Sequence, residues 1–162
     1  MIREQIYAAL FSFFSGLTAG ATPLFVTATR ELKTWNNFQP EACPAICMQQ
    51  ALEDAQYTRG LLTKWQGRVK LYVLVYTGQG FSGGAPQTAA QQLNALLDQI
   101  EQAIAPLTPD AFAYDQDGVQ TLQGLVSHVA IEGTIEYWQG DEGNEAVAVV
   151  PITFLVANTP PP

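Results

Sequence analysis

The chain has 162 residues, of which 48% are hydrophobic, enough for a single domain with a substantial core. Its net charge of -8, with only seven Lys and Arg, disfavours free nucleic-acid binding and attraction to an anionic membrane surface. Charged residues make up 14% of the chain, against ~25% in an average domain. Either other subunits cover part of the surface, or uncharged polar residues (Gln, Thr, Asn and Ser) form much of the exposed surface.

The first predicted element is an amphipathic helix over residues 2–15, which ends at Gly16. Its apolar residues recur at spacings of three and four: Ile2, Ile6, Ala9, Leu10, Phe13 and Phe14. Arg3 and Glu4 precede this patterned stretch, and no small-residue cleavage site follows, which argues against a signal peptide. No run of ~20 apolar residues predicts a membrane span. We therefore expect synthesis in the cytoplasm.

Two strands are predicted before residue 64. Leu24 to Trp35 is rich in β-branched and aromatic residues, and residues 45–50 form a second, short strand. Residues 51–63 are interpreted as a connection containing a turn at Arg59-Gly60. Cys43 and Cys47 are too few for a disulfide framework and lack zinc-site spacing, so we expect small, buried thiols.

The clearest strand pattern runs from Lys64 to Gly78, alternating at first and then apolar on both faces, as in a strand that runs from an edge into a covered centre. A loop with four glycines, residues 78–86, follows. Gly78, Gly80 and Gly83 match G-x-G-x-x-G, but no helix opens at the third glycine and no Walker lysine follows. We predict no cofactor.

Residues 87–104 form a strongly amphipathic predicted helix that ends before Pro106. A loop over residues 107–119 lacks the complete ligand set of a calcium loop. We predict a strand from Leu125 to Tyr137 with one solvent-exposed face. It is predicted to pair as a hairpin with a second strand over residues 145–157. Pro151 places the second strand at an edge or at a bulge.

These elements predict one α+β domain over residues 1–157, followed by a disordered Pro-rich tail, 158–162. We expect a mixed or antiparallel sheet of about five strands with both helices packed on one face. The other face would present four polar side chains to solvent or to a neighbour: Lys70, His128, Glu132 and Glu136.

No grouping of residues predicts catalysis or a metal site. Ser127 adjoins His128, so the two side chains face opposite ways in a strand. Glu132 and Glu136 would lie ~13 Å apart along a strand, too far for a glycosidase pair. The three tryptophans are more typical of core or interface anchors than of a sugar or base site. We expect the protein not to be an enzyme.

Several segments together resemble the tail terminator, or tail completion, family of long-tailed phages and prophages. In the first half these are MIREQIYAALFSFFS, FVTATRELKTWNN, PAICMQQ and KWQGRVKLYVLVYTG. In the second half they are LNALLDQIEQAI and QTLQGLVSHVAIEGTIEYWQGDEGNEAVAVVPITFLV. The resemblance covers nearly the whole chain, although no short motif in it is diagnostic.

The resemblance implies an α+β virion protein that forms a hexameric ring on the head-proximal end of the tail tube. Such a ring ends polymerisation of the tube protein and offers a surface to head-completion or connector proteins. The family has no catalytic residue to carry over. The partners would be further copies of the chain, the tube protein and the connector proteins, with no membrane and no sequence-specific nucleic acid.

Mobile loops are natural docking elements for such a ring. The expected contact residues are Phe81 in the 78–86 loop, and Phe112 and Tyr114 in the 107–119 loop. The same side chains would otherwise pack on their own core. Other functions stay open: a head–tail connector or neck protein, a small ligand-binding domain, or an assembly chaperone absent from virions.

Overall fold

A computed structural model describes residues 2–33, 39–58, 61–76, 88–105, 120–139 and 145–157. The helices are α1 (Ile2–Ser15) and α2 (Ala89–Ile104), and Pro40–Ala42 is a single 3-10 turn. The strands are β1 (Thr18–Ala19), β2 (Thr22–Pro23), β3 (Thr27–Thr29), β4 (Ala45–Thr58), β5 (Leu61–Tyr76), β6 (His128–Ile131), β7 (Glu136–Gln139) and β8 (Glu145–Ala157).

The main sheet has six strands. Five of them follow in the order β3-β4-β5-β8-β6, and the sixth, β7, also pairs with β8. β3 runs parallel to β4, and every other neighbouring pair is antiparallel. β1 and β2 form a separate two-stranded ribbon. The α+β class with a mixed sheet is therefore confirmed, although the main sheet has one strand more than expected.

Both helices pack on one face of the sheet and bury the main core there. Their apolar stripes meet alternate residues of the central strands, among them Val69 and Leu71 of β5 and Val150 and Ile152 of β8. Such alternation follows from the two-residue period of a strand. Each fully buried aliphatic side chain contributes roughly 1.5–3 kcal/mol, which makes this face the main source of stability.

The second helix begins two residues later than predicted, at Ala89. Thr88 forms a capping box: its hydroxyl accepts from the Gln91 N–H, and the Gln91 side chain accepts from the Thr88 N–H. Two N-terminal donors that the helix itself leaves without partners are satisfied in this way. Apart from this shift in one boundary, the predicted helices over residues 2–15 and 87–104 are both confirmed.

An aromatic cluster fixes the first turns of α1 to the sheet. Tyr7, Trp65 and Phe154 meet edge to face in three pairs, with ring centroids 5.2–6.3 Å apart. Gly67 lies beneath Phe154, where a Cβ at position 67 would fall 2.1 Å from the ring's Cζ. The phenylalanine ring therefore occupies the space that any side chain at position 67 needs.

A short polar network closes this cluster toward solvent. The Tyr7 hydroxyl donates to Glu53 Oε1 over 2.6 Å, and Arg3 Nε lies 3.0 Å from Glu53 Oε2. The Arg3 guanidinium also stacks over the Trp65 ring. Burial, followed by the Glu53 contact, raises the pKa of Tyr7. The network ties α1 to both strands of the β4–β5 hairpin.

The predicted strand over residues 24–35 is wrong in its extent. Only Thr27–Thr29 pair as β3, and residues 34–38 lie outside the described part of the chain. Leu24 and Phe25 are buried in the core and not in a ladder. Their apolar and aromatic composition reflects burial against the helices, a signal that composition alone does not separate from strand pairing.

The predicted connection over residues 51–63 is also wrong. β4 continues to Thr58 and pairs with β5 from Leu61, so a long hairpin replaces the connection. Residues 51–57 are exposed throughout and show no alternation of polar and apolar side chains. Backbone hydrogen bonds to β5 hold them in place, and such bonds leave no trace in a hydropathy pattern.

The predicted single strand from Leu125 to Tyr137 is divided into β6 and β7. Both strands pair with β8. β6 pairs with residues 152–155 of β8, and β7 pairs with residues 146–149. Pro151 lies between the two registers, and Glu132 N–H donates to its carbonyl over 3.2 Å. Residues 132–135 leave the ladder next to Pro151, because the proline has no N–H to donate to them. The bulge alternative is thus correct and the edge alternative is wrong, since β8 has neighbours on both sides.

Candidate interaction surfaces

The second face of the sheet, opposite the helices, is buried at one end and polar at the other. Its buried end holds Cys43, Cys47, Leu74, Val147 and Val149. Burial, with smaller contributions from Glu145 and Cys47, raises the pKa of the Cys43 thiol to about 11. Burial also raises the pKa of Cys47. Both free thiols are therefore structural, as predicted, because the thiolate is the reactive form.

The polar end of the second face forms an open groove of about 520 Å³. Arg68 and Lys70 of β5 line it, together with Glu132 and Glu136 beside β8. Lys70, Glu132 and Glu136 are exposed there and His128 is half-buried. The prediction that these four residues share the face opposite the helices is confirmed by their register. Because residues 132–135 leave the ladder, Glu132 and Glu136 belong to different segments of the sheet.

The described residues contain no group of three or more His, Cys, Asp or Glu placed to hold a metal ion. No helix among them is long and apolar enough to cross a membrane. The predicted contact residues Phe81, Phe112 and Tyr114 lie in segments 77–87 and 106–119, outside the described residues. The Gly78–Gly83 motif and the 158–162 tail lie outside them as well.

Exposed large apolar side chains are concentrated at the two lateral edges of the sheet and on the β4–β5 hairpin. At the β3 edge, Val26 is 64% exposed and Leu32 is 45% exposed. At the β7 edge, Tyr137 is 54% exposed and Trp138 is 46% exposed. Val26 precedes β3 and Leu32 follows it, whereas Tyr137 and Trp138 are adjacent within β7. Single exposed apolar residues are ordinary, and an adjacent pair of this size is the less common feature.

Within the described part of the chain, no strand pairs with the outer side of β7. Ser127 N–H donates to Leu155 O over 2.7 Å, and Glu132 N–H donates to Pro151 O. The odd-numbered residues of β8 therefore turn their polar groups toward β6 and β7. In an antiparallel ladder, opposite residues either exchange both hydrogen bonds or neither.

It follows that Glu136 and Trp138, which lie opposite Val149 and Val147, bond to β8. Tyr137 and Gln139 turn their N–H and C=O groups outward. No strand of the described chain pairs with that side.

β6 differs from β7 in this respect. Its Val129 N–H also points outward, but it donates to Gln120 O over 2.9 Å. Gln120 is itself held in place, because its side-chain Oε1 accepts from Leu122 N–H over 2.8 Å. The chain therefore covers its own β6 edge. Among the described residues, the β6 edge is therefore covered and the β7 edge is not.

β3 forms the opposite lateral edge. Pro44 O accepts from Val26 N–H over 2.8 Å and is approached by Thr27 N–H at 3.5 Å, and the register pairs Thr27 with Ala45. With Thr27 and Thr29 bonded toward β4, the intervening Ala28 turns its N–H and C=O outward. Ala28 is exposed. The described chain thus has an open strand at each end of its sheet.

The β4–β5 hairpin provides a third exposed surface. Tyr57 is 63% exposed in the end of the hairpin that runs past the β8 ladder. Leu52 is 61% exposed, lies opposite Arg68 and lines the groove of the second face. Sequence reasoning missed this surface because it took residues 51–63 for a loop. A detectable signal was present: the apolar residues Leu52 and Tyr57 stand in an otherwise polar stretch ahead of a turn dipeptide, Arg59-Gly60.

Comparisons with known proteins add the fold alone. No family model matches the chain, and no curated protein matches it. Among solved structures 27 chains match. One, of a protein whose name describes no activity, aligns over 98% of both chains with a TM-score of 0.51 and 19% identity. Likeness at that identity shows shared architecture and carries no statement about activity or partners.

Proposed function

We propose that this chain is a structural subunit of a phage or prophage tail. Its copies close into a ring on the head-proximal end of the tail tube, end tube polymerisation and present a surface for head attachment. The segment resemblance over nearly the whole sequence supports this assignment. One structural observation supports it independently: two different open edges lie at opposite ends of the same sheet.

A ring requires this kind of asymmetry. In a closed cyclic assembly, one patch of each subunit meets a different patch of the next, so every subunit must carry both. The β3 edge, with Val26 and Leu32, and the β7 edge, with Tyr137 and Trp138, are two such patches. β4, β5 and β8 separate them, about 19 Å at ~4.8 Å per strand spacing. A single patch would favour a twofold dimer instead.

The β4–β5 hairpin fits the second requirement of a terminator, an end that docks onto another ring. Strands that run along the ring axis would place the end of the hairpin at one rim, where Tyr57 is available to a partner. Phe81, Phe112 and Tyr114 remain predicted contacts in addition. A ring whose two rims differ stops a tube, because one rim matches the last tube ring and the other recruits no further tube subunit.

The first test is the mass of the protein by light scattering after gel filtration, over a range of concentrations and ionic strengths. We expect a species near six times the 17.6 kDa chain mass, or a concentration-dependent equilibrium between monomer and ring. Persistent monomers at every condition, with no ring seen on added purified tail tubes, would contradict the proposal.

The second test separates tube binding from ring formation. Tyr57→Gln should leave the ring mass unchanged while electron micrographs show fewer rings on the ends of purified tubes. Ile2→Gln serves as the matched control, since it changes another exposed large apolar residue, on α1, outside the hairpin and both edge strands. A wild-type ring that binds portal-proximal rings but does not bind tail tubes would instead identify a head–tail connector.

A further inference from the structure

The two open edges are complementary in their backbone polar groups. β7 offers the N–H and C=O of Tyr137 and Gln139, and β3 offers those of Ala28. In an antiparallel pair, two outward-facing residues exchange both hydrogen bonds when they lie opposite each other. When Ala28 lies opposite Tyr137 of a second copy, the N–H of each residue donates to the C=O of the other. This inference rests on the proposed ring and specifies its joint.

The sense of such a joint follows from the topology of one subunit. β3 is parallel to β4, β4 is antiparallel to β5, β5 to β8, and β8 to β7. β7 therefore runs antiparallel to β3. Rotation about a ring axis that lies along the strands preserves strand direction, so β7 of one copy meets β3 of the next in antiparallel sense.

Side-chain sizes are complementary in this register. Tyr137 and Trp138 are the large, exposed residues of β7, whereas β3 reads Thr27, Ala28, Thr29. Ala28 shares the helix-covered face with Ile46, and Tyr137 shares that face with Ala148. The tyrosine ring would therefore lie over a residue with only a methyl group.

The second face of the joint pairs Thr27 with Trp138 and Thr29 with Glu136. Thr27 and Thr29 lie opposite Ala45 and Cys47, whose side chains belong to the buried cluster of that face. Trp138 lies opposite Val147 of the same cluster. The joint would extend the apolar cluster from one subunit into the next.

Charges flanking the two strands are also of opposite sign. Arg30, which forms an ion pair with Glu4 of its own chain, and Lys33 follow β3, and Glu132 precedes β7. In antiparallel sense the segment after β3 runs alongside the segment before β7. We propose, on these grounds, that β7 of each copy adds to β3 of the next copy and continues the sheet around the ring.

Disulfide cross-linking tests the joint directly. In the proposed register, Thr29→Cys of one copy lies directly opposite Glu136→Cys of the next, on the same face of the sheet. If the register is shifted by two residues, Thr29→Cys lies opposite Trp138→Cys instead. Under mild oxidation, one of these pairs should give a ladder of covalent oligomers on a non-reducing gel. Cys43 is fully buried, but Cys47 lies opposite Thr29 in the same chain, so every variant is made in a Cys47→Ala background that prevents an internal disulfide.

Two controls accompany the cross-linking. Each single cysteine variant should give no ladder, and Thr29→Cys with Gln139→Cys should give none, because Gln139 faces the other side of the sheet. A ring of normal mass in which neither designed pair cross-links would overturn the joint while leaving the proposed function standing. Absence of the ring mass from the wild-type chain, with and without tubes, would overturn both.

Backbone substitution gives a second, independent measurement. Tyr137→Pro removes an outward N–H from an edge strand and should raise the concentration for half-assembly about tenfold or more. Tyr137→Thr keeps that N–H and should have the smaller effect. Circular dichroism confirms that each variant folds. An equal effect of the two variants would place the contact in the side chain alone and contradict strand pairing.

Discussion

Two tryptophans of this chain differ in burial, because one lies in the core and the other on the outermost strand of the sheet. Trp65 is 2% exposed and packs against Tyr7 and Phe154 beneath the Arg3 guanidinium. Trp138 is 46% exposed on the open edge strand β7. Both stand in strands of one sheet, and neither neighbouring sequence distinguishes their roles. Their difference comes from position: Trp65 lies on an inner strand under α1, and Trp138 lies on the outermost one.

On the proposed ring, stability and subunit contact reside in separate parts of the molecule. Substitutions in the Trp65 cluster should cost free energy of unfolding. Substitutions at the β7 edge should cost assembly and leave the fold intact. The variants below, from the largest expected effect to the smallest, are designed to break that separation.

Phe154→Ala should cause the largest loss of stability. Removing a fully buried ring from the Trp65 cluster should lower the free energy of unfolding by about 3–5 kcal/mol, because the cavity left beneath α1 cannot close completely. Urea unfolding followed by tryptophan fluorescence measures the change. A loss below ~1 kcal/mol would mean that this cluster is not a principal source of stability.

Gly67→Ala should cost less, about 1–3 kcal/mol, through overpacking. The added methyl would fall within 2.1–2.9 Å of three atoms of the Phe154 ring, which must then move. The double variant Gly67→Ala with Phe154→Leu should recover part of this cost, since the two sites interact directly. Strictly additive effects would show that the ring does not set the requirement for glycine.

Tyr7→Phe should cost about 1 kcal/mol at neutral pH by removing the hydrogen bond to Glu53. The pKa of Tyr7 is raised in the folded chain. Its contribution is therefore fully present below the unfolded pKa near ~10 and is lost as pH rises through the folded pKa. Wild-type stability should decline in that alkaline range more steeply than that of the variant. Parallel curves would contradict a buried, neutral Tyr7.

Trp138→Ala should have the smallest effect on the fold, within about 0.5 kcal/mol, as for other surface sites. Its effect should appear in the light-scattering mass, as a shift from ring to monomer. A stability loss comparable to that of Phe154→Ala would erase the distinction between the two tryptophans. An unchanged ring mass would remove Trp138 from the joint.

Helices and apolar strands were predictable from the sequence because their signal is local. The stripe of α2 and the unbroken apolar half of β5 are visible in hydropathy alone. The outer half of β4 was not predictable, since its exposed residues are held by backbone bonds to a separate segment. The break at Pro151 was predictable as an alternative, but choosing between bulge and edge required knowing that β8 has neighbours on both sides.

The interaction surfaces were the least predictable feature. Tyr137 and Trp138 belong to a region that sequence reasoning assigned to a strand, yet their exposure depends on β7 being outermost. The openness of β3 depends likewise on sheet order, which no local pattern encodes. The aromatic residues that the sequence did single out, Phe81, Phe112 and Tyr114, stay predictions, because they lie outside the described residues.

A mixing experiment tests the two-edge account most directly. Ala28→Pro impairs the β3 edge and Tyr137→Pro impairs the β7 edge, so each variant alone should be monomeric by light scattering. Their equimolar mixture retains one intact joint per pair and should form a heterodimer of twice the 17.6 kDa chain mass. A mixture that stays monomeric, or a single variant that still forms the wild-type ring, would contradict assembly through two different edges.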